Sequence, residues 1–276
     1  MASVPAPAPI WSVGAGNMGG AMLTRWLATG LDPATLTVIR RSGVPFAPGV
    51  TVLTAPPADA PPPALLLLGV KPQMLDAVAP TLAVAVGPRT ILVSILAGVE
   101  IAALRARFPS AGTIVRAMPN TPVAIGRGVV ALAMEAPGDA EARATVHALM
   151  TRLGLVEWLD EALFDQVTAL AGSGPAFLYR FVDALAAAGT AAGLPPDQSR
   201  RLATATVAGA ADLAERATED CATLADRVAS PGGSTRRGLD VLDDGAALAA
   251  LLTRTIAAAV ARNREMAAAA RGEGSA

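Results

Sequence analysis

Short apolar runs alternate with segments of helix length along the first half of the chain. The apolar runs predict these strands: Ile10–Val13, Leu36–Ile39, Val50–Leu53, Leu65–Val70, Ile91–Ile95, Thr113–Arg116, Val129–Met134 and Leu155–Trp158. Segments between several of them have the length of helices: Met18–Ala28, Met74–Val86, Ile101–Phe108 and Ala140–Leu153. Continuously apolar strands that are separated by helices are typical of a parallel sheet with both faces covered. We therefore predict an α/β domain with a doubly wound, Rossmann-type sheet over residues 1–160.

The strand pattern ends after about Leu159, and the remaining sequence has helical spacing. The run Gly172-Ser173-Gly174-Pro175 is expected to interrupt the first of these helices. The last helix is predicted from about Ala246 to Ala270, with apolar residues at every fourth position: Leu248, Leu252, Ile256 and Val260. Such spacing places an apolar stripe along one face of the helix. Residues 161–276 are therefore predicted to form an all-helical domain whose helices pack closely, within the chain or across a dimer.

Composition excludes several functional classes. The 276 residues carry a formal net charge of −1, which gives no electrostatic reason to expect a nucleic acid or a membrane as partner. Because Cys221 is the only cysteine and His147 the only histidine, we expect no intrachain disulfide and no metal centre, with His147 on a solvated helix face. The Pro- and Ala-rich N-terminus is expected to be a disordered lead-in without a signal peptide, and the apolar runs are too short to span a bilayer. A cytoplasmic protein is predicted.

Three glycines follow the first predicted strand. The run Gly14-Ala15-Gly16-Asn17-Met18-Gly19 lies between a strand and a helix, which is where a dinucleotide-binding fingerprint has to lie. Its first glycine makes the turn, the second lets the backbone approach a phosphate, and the third allows the helix to pack closely on the sheet. The start of the helix then supplies free N–H groups for a pyrophosphate. A plain tight turn between strand and helix is the alternative.

The end of the second strand bears on which dinucleotide is bound. NAD-binding folds usually place an acidic residue there, where it accepts a hydrogen bond from the ribose 2′-hydroxyl. This chain has Arg40-Arg41-Ser42 instead. Two guanidiniums and a hydroxyl suit a 2′-phosphate, since arginine binds phosphate in a forked, charge-assisted geometry. We therefore predict NADPH in preference to NADH; the alternative is that the arginines belong to an ordinary solvated loop.

Three further motifs extend the candidate site. "GVKPQM" (69–74) and "VRAMPNTPVAIGRG" (115–128) stand at the carboxyl ends of predicted strands, where open α/β sheets bind ligands. "VASPGGSTRRGL" (228–239) lies between two predicted helices, and its residues 231–235 can expose successive N–H groups at a helix start. Such a group of donors binds an anion, for example a carboxylate. Turn chemistry is the alternative for the first two motifs, and a Ser or Thr helix N-cap is the alternative for the third.

In this order, the glycine loop, "VKPQ", "SILAG", "MPNTP", "ALAGSGPAF" and "VASPGGSTRRGL" resemble the pyrroline-5-carboxylate reductases. The resemblance runs from about Ile10 to the final helix, and the last motif is the most specific to that family. It implies reduction of the cyclic imine Δ1-pyrroline-5-carboxylate to L-proline with NAD(P)H, the last step of proline biosynthesis. It also implies a homodimer formed by interlocked carboxyl-terminal helices, which many members assemble into larger rings.

The resemblance also implies which residues form the site. NADPH would be held by the glycine loop of residues 14–19 together with Arg40, Arg41 and Ser42. The nicotinamide end would be lined by residues of three loops: Val70, Lys71, Pro72, Gln73, Ala97, Gly98, Met118, Pro119, Asn120 and Thr121. The substrate would be bound by five residues of the last motif: Ser230, Gly232, Gly233, Ser234 and Thr235. The Thr235 hydroxyl would meet the imine nitrogen as the catalytic group, with a positioning and proton-relaying role.

Some positions depart from the family pattern, and other functions stay open. Ala117, Ala229 and Cys221 replace residues that are more common in the family. The pair Arg236-Arg237 stands where smaller or apolar residues are usual, and an additional cation near a carboxylate site bears on substrate selectivity. A β-hydroxyacid dehydrogenase needs a lysine in its helical domain, and the predicted helical domain has none. A broader imine reductase and a non-catalytic NADPH-binding sensor remain as alternatives.

Overall fold

The computed structural model describes residues 6–135 and 139–270, so the first residues of the predicted lead-in lie outside the described residues. Contacts divide the chain into two compact units. The first comprises the residues up to Ser173 together with those from Ala259 onward, and the second comprises Gly174–Ala258. The predicted boundary between two domains after residue 160 stays a prediction.

The first unit is built on one sheet. Its strands in chain order are β1 (Ile10–Val13), β2 (Leu36–Ile39), β3 (Thr51–Leu53), β4 (Leu65–Leu68), β5 (Ile91–Ser94), β6 (Thr113–Pro119), β7 (Gly128–Met134) and β8 (Gly154–Trp158). Their order across the sheet is β3-β2-β1-β4-β5-β6-β7-β8. The chain therefore winds outward in both directions from β1, which is the arrangement of a doubly wound sheet. The predicted fold class is confirmed.

Helices pack against both faces of this sheet. They are α1 (Asn17–Ala28), α2 (Leu75–Ala83), α3 (Ile101–Arg107) and α4 (Ala140–Thr151). α1 and α4 contribute these side chains to one core: Met22, Leu23, Trp26, Val146 and Leu149. α2 and α3 contribute these to the other: Leu75, Ala79, Leu82, Ile101 and Leu104. Successive residues of β4 alternate between the two cores, because neighbouring side chains of a strand point to opposite faces.

One strand pairing differs from the predicted parallel sheet. β7 runs antiparallel to β6, with Met118 opposite Ala131, whereas β7 and β8 are parallel. β6 was expected to end at Arg116 but continues to Pro119, and the 3-10 turn Thr121–Ile125 then fills most of the connection to β7. A parallel crossover needs about a dozen residues or more, and the longer strand leaves too few for one.

The segment after β8 is helical and leads into the second unit. α5 (Phe164–Val167) continues as a π-helical turn over Thr168–Gly172. Of the predicted Gly-Ser-Gly-Pro interruption, Ser173 alone is non-helical, because α6 already begins at Gly174. Proline is tolerated in the first turn of a helix, where its missing N–H has no intrahelical partner. The interruption is therefore shorter than predicted.

The second unit consists of helices. They are α6 (Gly174–Ala191), α7 (Pro196–Arg216), α8 (Cys221–Val228), α9 (Ser234–Asp243) and α10 (Ala247–Ala270), the last of which ends within the first unit. α6 and α7 approach closely, since Ser199 Oγ donates to the Ala186 carbonyl at 2.5 Å. A Cβ at Gly189 would lie 2.3 Å from the same hydroxyl oxygen, so the contact requires glycine there.

Large apolar side chains of the second unit remain exposed: Leu178, Tyr179, Phe181, Leu185, Leu202, Leu213, Leu251 and Leu252. Ser234–Ala268, with a mean hydropathy of 1.4 in its most apolar window, is long and apolar enough to cross a membrane by length and composition. This corrects the expectation that every apolar stretch is too short, although the helical path is broken at Gly245, whose φ is +56°. Large exposed apolar side chains in this number are typical of an interaction surface.

Candidate active site

The glycine loop joins β1 to α1 through a close backbone contact. Gly14 has a φ of +89°, and a Cβ there would lie 2.7 Å from the Gly69 carbonyl oxygen at the end of β4. Gly16 is the N-cap of α1, makes no side-chain cap hydrogen bond, and has no atom within 4 Å of the place a Cβ would take. The first N–H groups of α1 therefore face open space, which fits an anion such as a pyrophosphate.

A cavity of about 700 Å³ lies beside this loop at the carboxyl ends of β1, β2 and β4. It brings together six of the predicted cofactor residues: Gly14, Gly16, Arg40, Arg41, Val70 and Lys71. Lys71 adopts the extended conformation expected before a proline, with φ −68° and ψ 142°. The volume of the cavity and the open space at Gly16 fit a dinucleotide, so the residues present suit the predicted cofactor.

The two arginines after β2 differ in their surroundings. Arg40 Nε donates to the Val44 carbonyl at 2.8 Å, and its Nη2 donates to the Pro45 carbonyl at 2.8 Å. Its guanidinium therefore holds the loop that follows. Arg41 is exposed beside the same cavity, and none of the hydrogen bonds found among residues 6–135 and 139–270 involves its side chain. Ser42 is exposed and does not line the cavity.

Several of the predicted nicotinamide residues line two adjoining cavities. A cavity of about 260 Å³ is lined by residues that include Met18, Ala97, Gly98, Met118 and Pro119. A second one of about 580 Å³ is lined by Pro72 and Gln73 together with Ala97 and Gly98. The loops after β4 and β5 thus meet at one edge of the sheet. Four other predicted cofactor residues do not line these cavities: Ala15, Asn17 and Gly19, at the glycine loop and the start of α1, and Thr121, which follows β6.

Asn120 is part of the packing rather than of a cavity wall. It is 6% exposed, and its Oδ1 accepts a hydrogen bond from the Val129 N–H at 2.8 Å. Its Nδ2 donates to the Ala171 carbonyl in the π-helical turn at 3.0 Å. Both ends of the amide are therefore engaged in holding the β6–β7 connection to the segment after β8.

The predicted substrate motif, residues 228–239, lies in the second unit. Gly233 is the N-cap of α9, without a side-chain cap hydrogen bond, and Gly232 has a φ of +74°. The alternative of a Ser or Thr N-cap is wrong, because glycine occupies that position and Ser234 and Thr235 are the first exposed residues of the helix. Ser230 is exposed as well, and its carbonyl accepts a hydrogen bond from the Gly233 N–H at 2.9 Å.

The unusual arginine pair within this motif contacts acidic residues of the same unit. Arg236 Nη2 lies 2.5 Å from Asp226 Oδ1, and this hydrogen bond raises the pKa of Arg236 above its ordinary value. Arg237 lies 3.8 Å from Asp240 within α9. Asp226 thus offsets part of the additional positive charge that the sequence places beside the substrate motif.

Comparison with known proteins assigns the family. Residues 161–266 match the model for pyrroline-5-carboxylate reductase dimerisation, and residues 10–98 match the model for NADP oxidoreductases that are coenzyme F420-dependent. A pyrroline-5-carboxylate reductase of Arabidopsis thaliana is 33% identical over 96% of this chain and 99% of the relative. That of Synechocystis is 39% identical over 73% of this chain and 74% of the relative. This chain belongs to the pyrroline-5-carboxylate reductase family.

Comparison with solved structures supports this family assignment. The pyrroline-5-carboxylate reductase of Coxiella burnetii superposes with a TM-score of 0.87, at 29% identity, over 94% of this chain and 98% of that one. A Plasmodium falciparum pyrroline carboxylate reductase with NADP bound has a TM-score of 0.82 over 94% of this chain and 98% of that one. At 23% identity, this second likeness concerns the fold alone.

The sequence did not predict several residues that line the cavity of about 260 Å³. They come from β6, from the segment after β8 and from the end of α10: Arg116, Phe164, Asp165, Thr168, Gly172, Asn263 and Met266. Arg116 stands inside a motif that the sequence singled out, but nothing in the apolar pattern indicates its pairing. A π-helical turn has no pattern of its own, although such turns are frequent at functional sites.

Alanine substitutions at Gly14 and Gly16 distinguish an effect on folding from an effect on cofactor binding. Gly14→Ala is expected to lower the free energy of unfolding by about 2 kcal/mol or more, because of its positive φ and the contact with the Gly69 carbonyl. Gly16→Ala is expected to cost less than about 1 kcal/mol. It is nevertheless expected to weaken NADPH binding about tenfold or more, since its methyl group occupies the space open to a phosphate.

Denaturation and fluorescence titration with NADPH measure the two effects. An NADPH dissociation constant for Gly16→Ala equal to that of the wild type would contradict the assignment of the glycine loop to the cofactor.

Proposed function

We propose that this chain catalyses the NADPH-dependent reduction of Δ1-pyrroline-5-carboxylate to L-proline, the last step of proline biosynthesis, as a cytoplasmic homodimer or larger homo-oligomer. The observation that carries the proposal is the relationship over 96% of the chain to a pyrroline-5-carboxylate reductase, which includes both the nucleotide unit and the substrate motif. The convergence of the glycine loop, Lys71 and the Ala97–Gly98 loop on adjoining cavities supports it.

The cofactor residues divide into three groups by their position. The glycine loop of residues 14–19 binds the pyrophosphate through the start of α1. Arg41 and Ser42 bind the 2′-phosphate, and Arg40 shapes their loop through the carbonyls that it contacts. The nicotinamide end is lined by residues of the loops after β4 and β5 and by the end of β6: Val70, Lys71, Pro72, Gln73, Ala97, Gly98 and Pro119. Asn120 and Thr121 follow Pro119 directly, and Asn120 holds their loop in place through its hydrogen bonds with Val129 and Ala171. When bound, NADPH supplies the hydride that reduces a C=N bond.

The substrate residues act through backbone donors and hydroxyls. The first N–H groups of α9, from Ser234 onward, bind the substrate carboxylate, and Gly232 and Gly233 shape the turn that presents them. Ser230 contributes a hydroxyl, and the Thr235 hydroxyl hydrogen-bonds the imine nitrogen and relays a proton to it. A protonated imine accepts a hydride readily, so the site needs orientation more than a strong acid or base. Well-oriented groups lower a barrier by about 7–11 kcal/mol at best.

Dimerisation through the carboxyl-terminal helices accounts for the exposed apolar surface of the second unit. Tyr179 is 64% exposed and Leu213 is 63% exposed, and both lie within residues 161–266, which match the dimerisation model. Burial of apolar surface stabilises an interface by roughly 25 cal/mol per Å² before the costs of association. The apolar stretch that includes α10 belongs to the same region, which favours a protein interface over a membrane for its apolar face.

Arg41 and Arg40 are expected to behave differently when replaced. Arg41→Ala is expected to raise the dissociation constant for NADPH about tenfold and to leave that for NADH unchanged, because a charge-assisted hydrogen bond contributes about 1.5–3 kcal/mol. Arg40→Ala is the matched control, and it is expected to weaken both cofactors alike by loosening the Val44–Pro45 loop. Equal effects of Arg41→Ala on NADPH and NADH would show that Arg41 does not select the 2′-phosphate.

Thr235 is expected to affect turnover rather than cofactor binding. Thr235→Ala should lower kcat about 10²-fold or more through loss of the proton-relaying hydroxyl, while NADPH titrates as in the wild type. Thr235→Ser, which retains the hydroxyl, is expected to restore most of the rate. Steady-state kinetics with Δ1-pyrroline-5-carboxylate measure both variants, and an unchanged kcat in Thr235→Ala would remove the residue from the catalytic machinery.

The reaction itself is tested by following NADPH absorbance with purified protein. Δ1-pyrroline-5-carboxylate and a larger cyclic imine without a carboxylate are compared as substrates. Oxidation with the first substrate alone is expected, because the start of α9 recognises the carboxylate. Equal oxidation with the larger imine would indicate a broader imine reductase, and no oxidation with either would indicate a cofactor-binding protein without this activity.

A further inference from the structure

A buried arginine lines the cavity of about 260 Å³. Arg116, within β6, stands beside Ala97, Gly98 and Pro119 in the cavity wall, and its side chain is only 8% exposed. A guanidinium that has lost its water needs a close counter-charge or hydrogen-bonding partner, because the desolvation of an ion is expensive. The surroundings of Arg116 therefore decide how much positive charge the cavity presents to its contents.

Glu161 supplies a counter-charge for Arg116. Arg116 Nη1 lies 3.1 Å from Glu161 Oε1, and the guanidinium lies 4.5 Å from the centroid of the Phe164 ring. The same Oε1 accepts a hydrogen bond of 2.8 Å from the Ile101 N–H, at the start of α3. Asp165 adds a second carboxylate to the cavity lining. The pair thus connects β6 with the loop that precedes α3, and it leaves the guanidinium electrically compensated.

The proposed reaction keeps one positive charge in such a cavity throughout. Before reduction the charge belongs to the protonated imine. Hydride transfer would break a C–H bond of the reduced nicotinamide and form one at the imine carbon, so the positive charge would then belong to the nicotinamide ring. An uncompensated arginine nearby would repel both species. We propose that Glu161 neutralises Arg116 and thereby sets the affinity of the cavity for oxidised relative to reduced nicotinamide. This inference rests on the proposed function for the place of the nicotinamide ring.

The substitution Glu161→Gln removes the negative charge of the side chain and keeps most of its shape and hydrogen bonding. Both hydrogen bonds that Glu161 accepts end on Oε1, and a glutamine amide retains one such oxygen. Glu135→Gln is the matched control, because Glu135 pairs with Arg105 at 2.5 Å and lines none of the three cavities. The two glutamate side chains are also alike in exposure, at 29% for Glu161 and 31% for Glu135.

The experiment measures dissociation constants for NADP⁺ and NADPH in the full-length assembled protein without substrate. The ratio of the NADP⁺ constant to the NADPH constant is expected to rise about tenfold in Glu161→Gln, since a unit charge is uncovered in a partly buried site. It is expected to stay unchanged in Glu135→Gln. Arg116→Met, which removes the guanidinium and leaves the carboxylate, is expected to lower the ratio.

The direction in which the ratio of dissociation constants changes distinguishes an electrostatic effect from a structural one. A wild-type ratio in folded Glu161→Gln, or shifts in the same direction in Glu161→Gln and Arg116→Met, would overturn the proposal. If Glu161→Gln fails to fold, Arg116→Met provides the test by itself. An NADP⁺ to NADPH ratio of dissociation constants that is unchanged or raised in Arg116→Met would then overturn the proposal. A wild-type protein that binds both nucleotides but does not reduce Δ1-pyrroline-5-carboxylate would contradict the proposed function and leave this comparison of binding intact.

Discussion

The candidate cofactor site depends on a contact between two stretches of backbone at the ends of β1 and β4. The Gly69 N–H donates to the Val13 carbonyl at 2.9 Å, and the Gly14 N–H donates to the Ile39 carbonyl at 2.9 Å. The ends of three strands are thereby held together at one edge of the sheet. Gly14 can take this place only because it lacks a side chain, since a Cβ would meet the Gly69 carbonyl oxygen. The start of α1, the arginines after β2 and Lys71 border one cavity as a consequence.

The apolar pattern predicted the sheet well, because strands buried on both faces are continuously apolar. The first and last residues of β1 and β2 were predicted correctly. The order of the elements followed from the alternation of strands with helices. The antiparallel β7 and the π-helical turn were missed, because they depend on chain length in a loop and on contacts between distant residues. The same holds for the site, where Asn120 and Arg116 take partners 51 and 45 residues away. No local pattern encodes such partners.

In the second unit, the periodic pattern predicted the helices but not what covers their apolar faces. The helical spacing predicted its helices, including the last, which begins at Ala247. Within the described part of this unit, the buried residues are Ser199, Ala203 and Ala229, so few of its side chains are covered by the chain itself. A helical pattern shows which face is apolar but not what covers that face. The proposed catalytic Thr235 belongs to this unit, and its assignment therefore rests on the family motif more than on local packing.

Lys71 gives the candidate cofactor cavity a primary amine that no other side chain of the chain carries. It is the only lysine among the 276 residues, and it is exposed at the wall of the large cavity. A reagent that acylates side-chain amines therefore has a single side-chain target in the whole chain. A fluorophore or cross-linker attached in this way would report on nucleotide occupancy without any engineered residue. The arginine-rich composition, which supplies nearly all other positive charge, thus leaves the candidate cofactor cavity with the single side-chain amine of the chain.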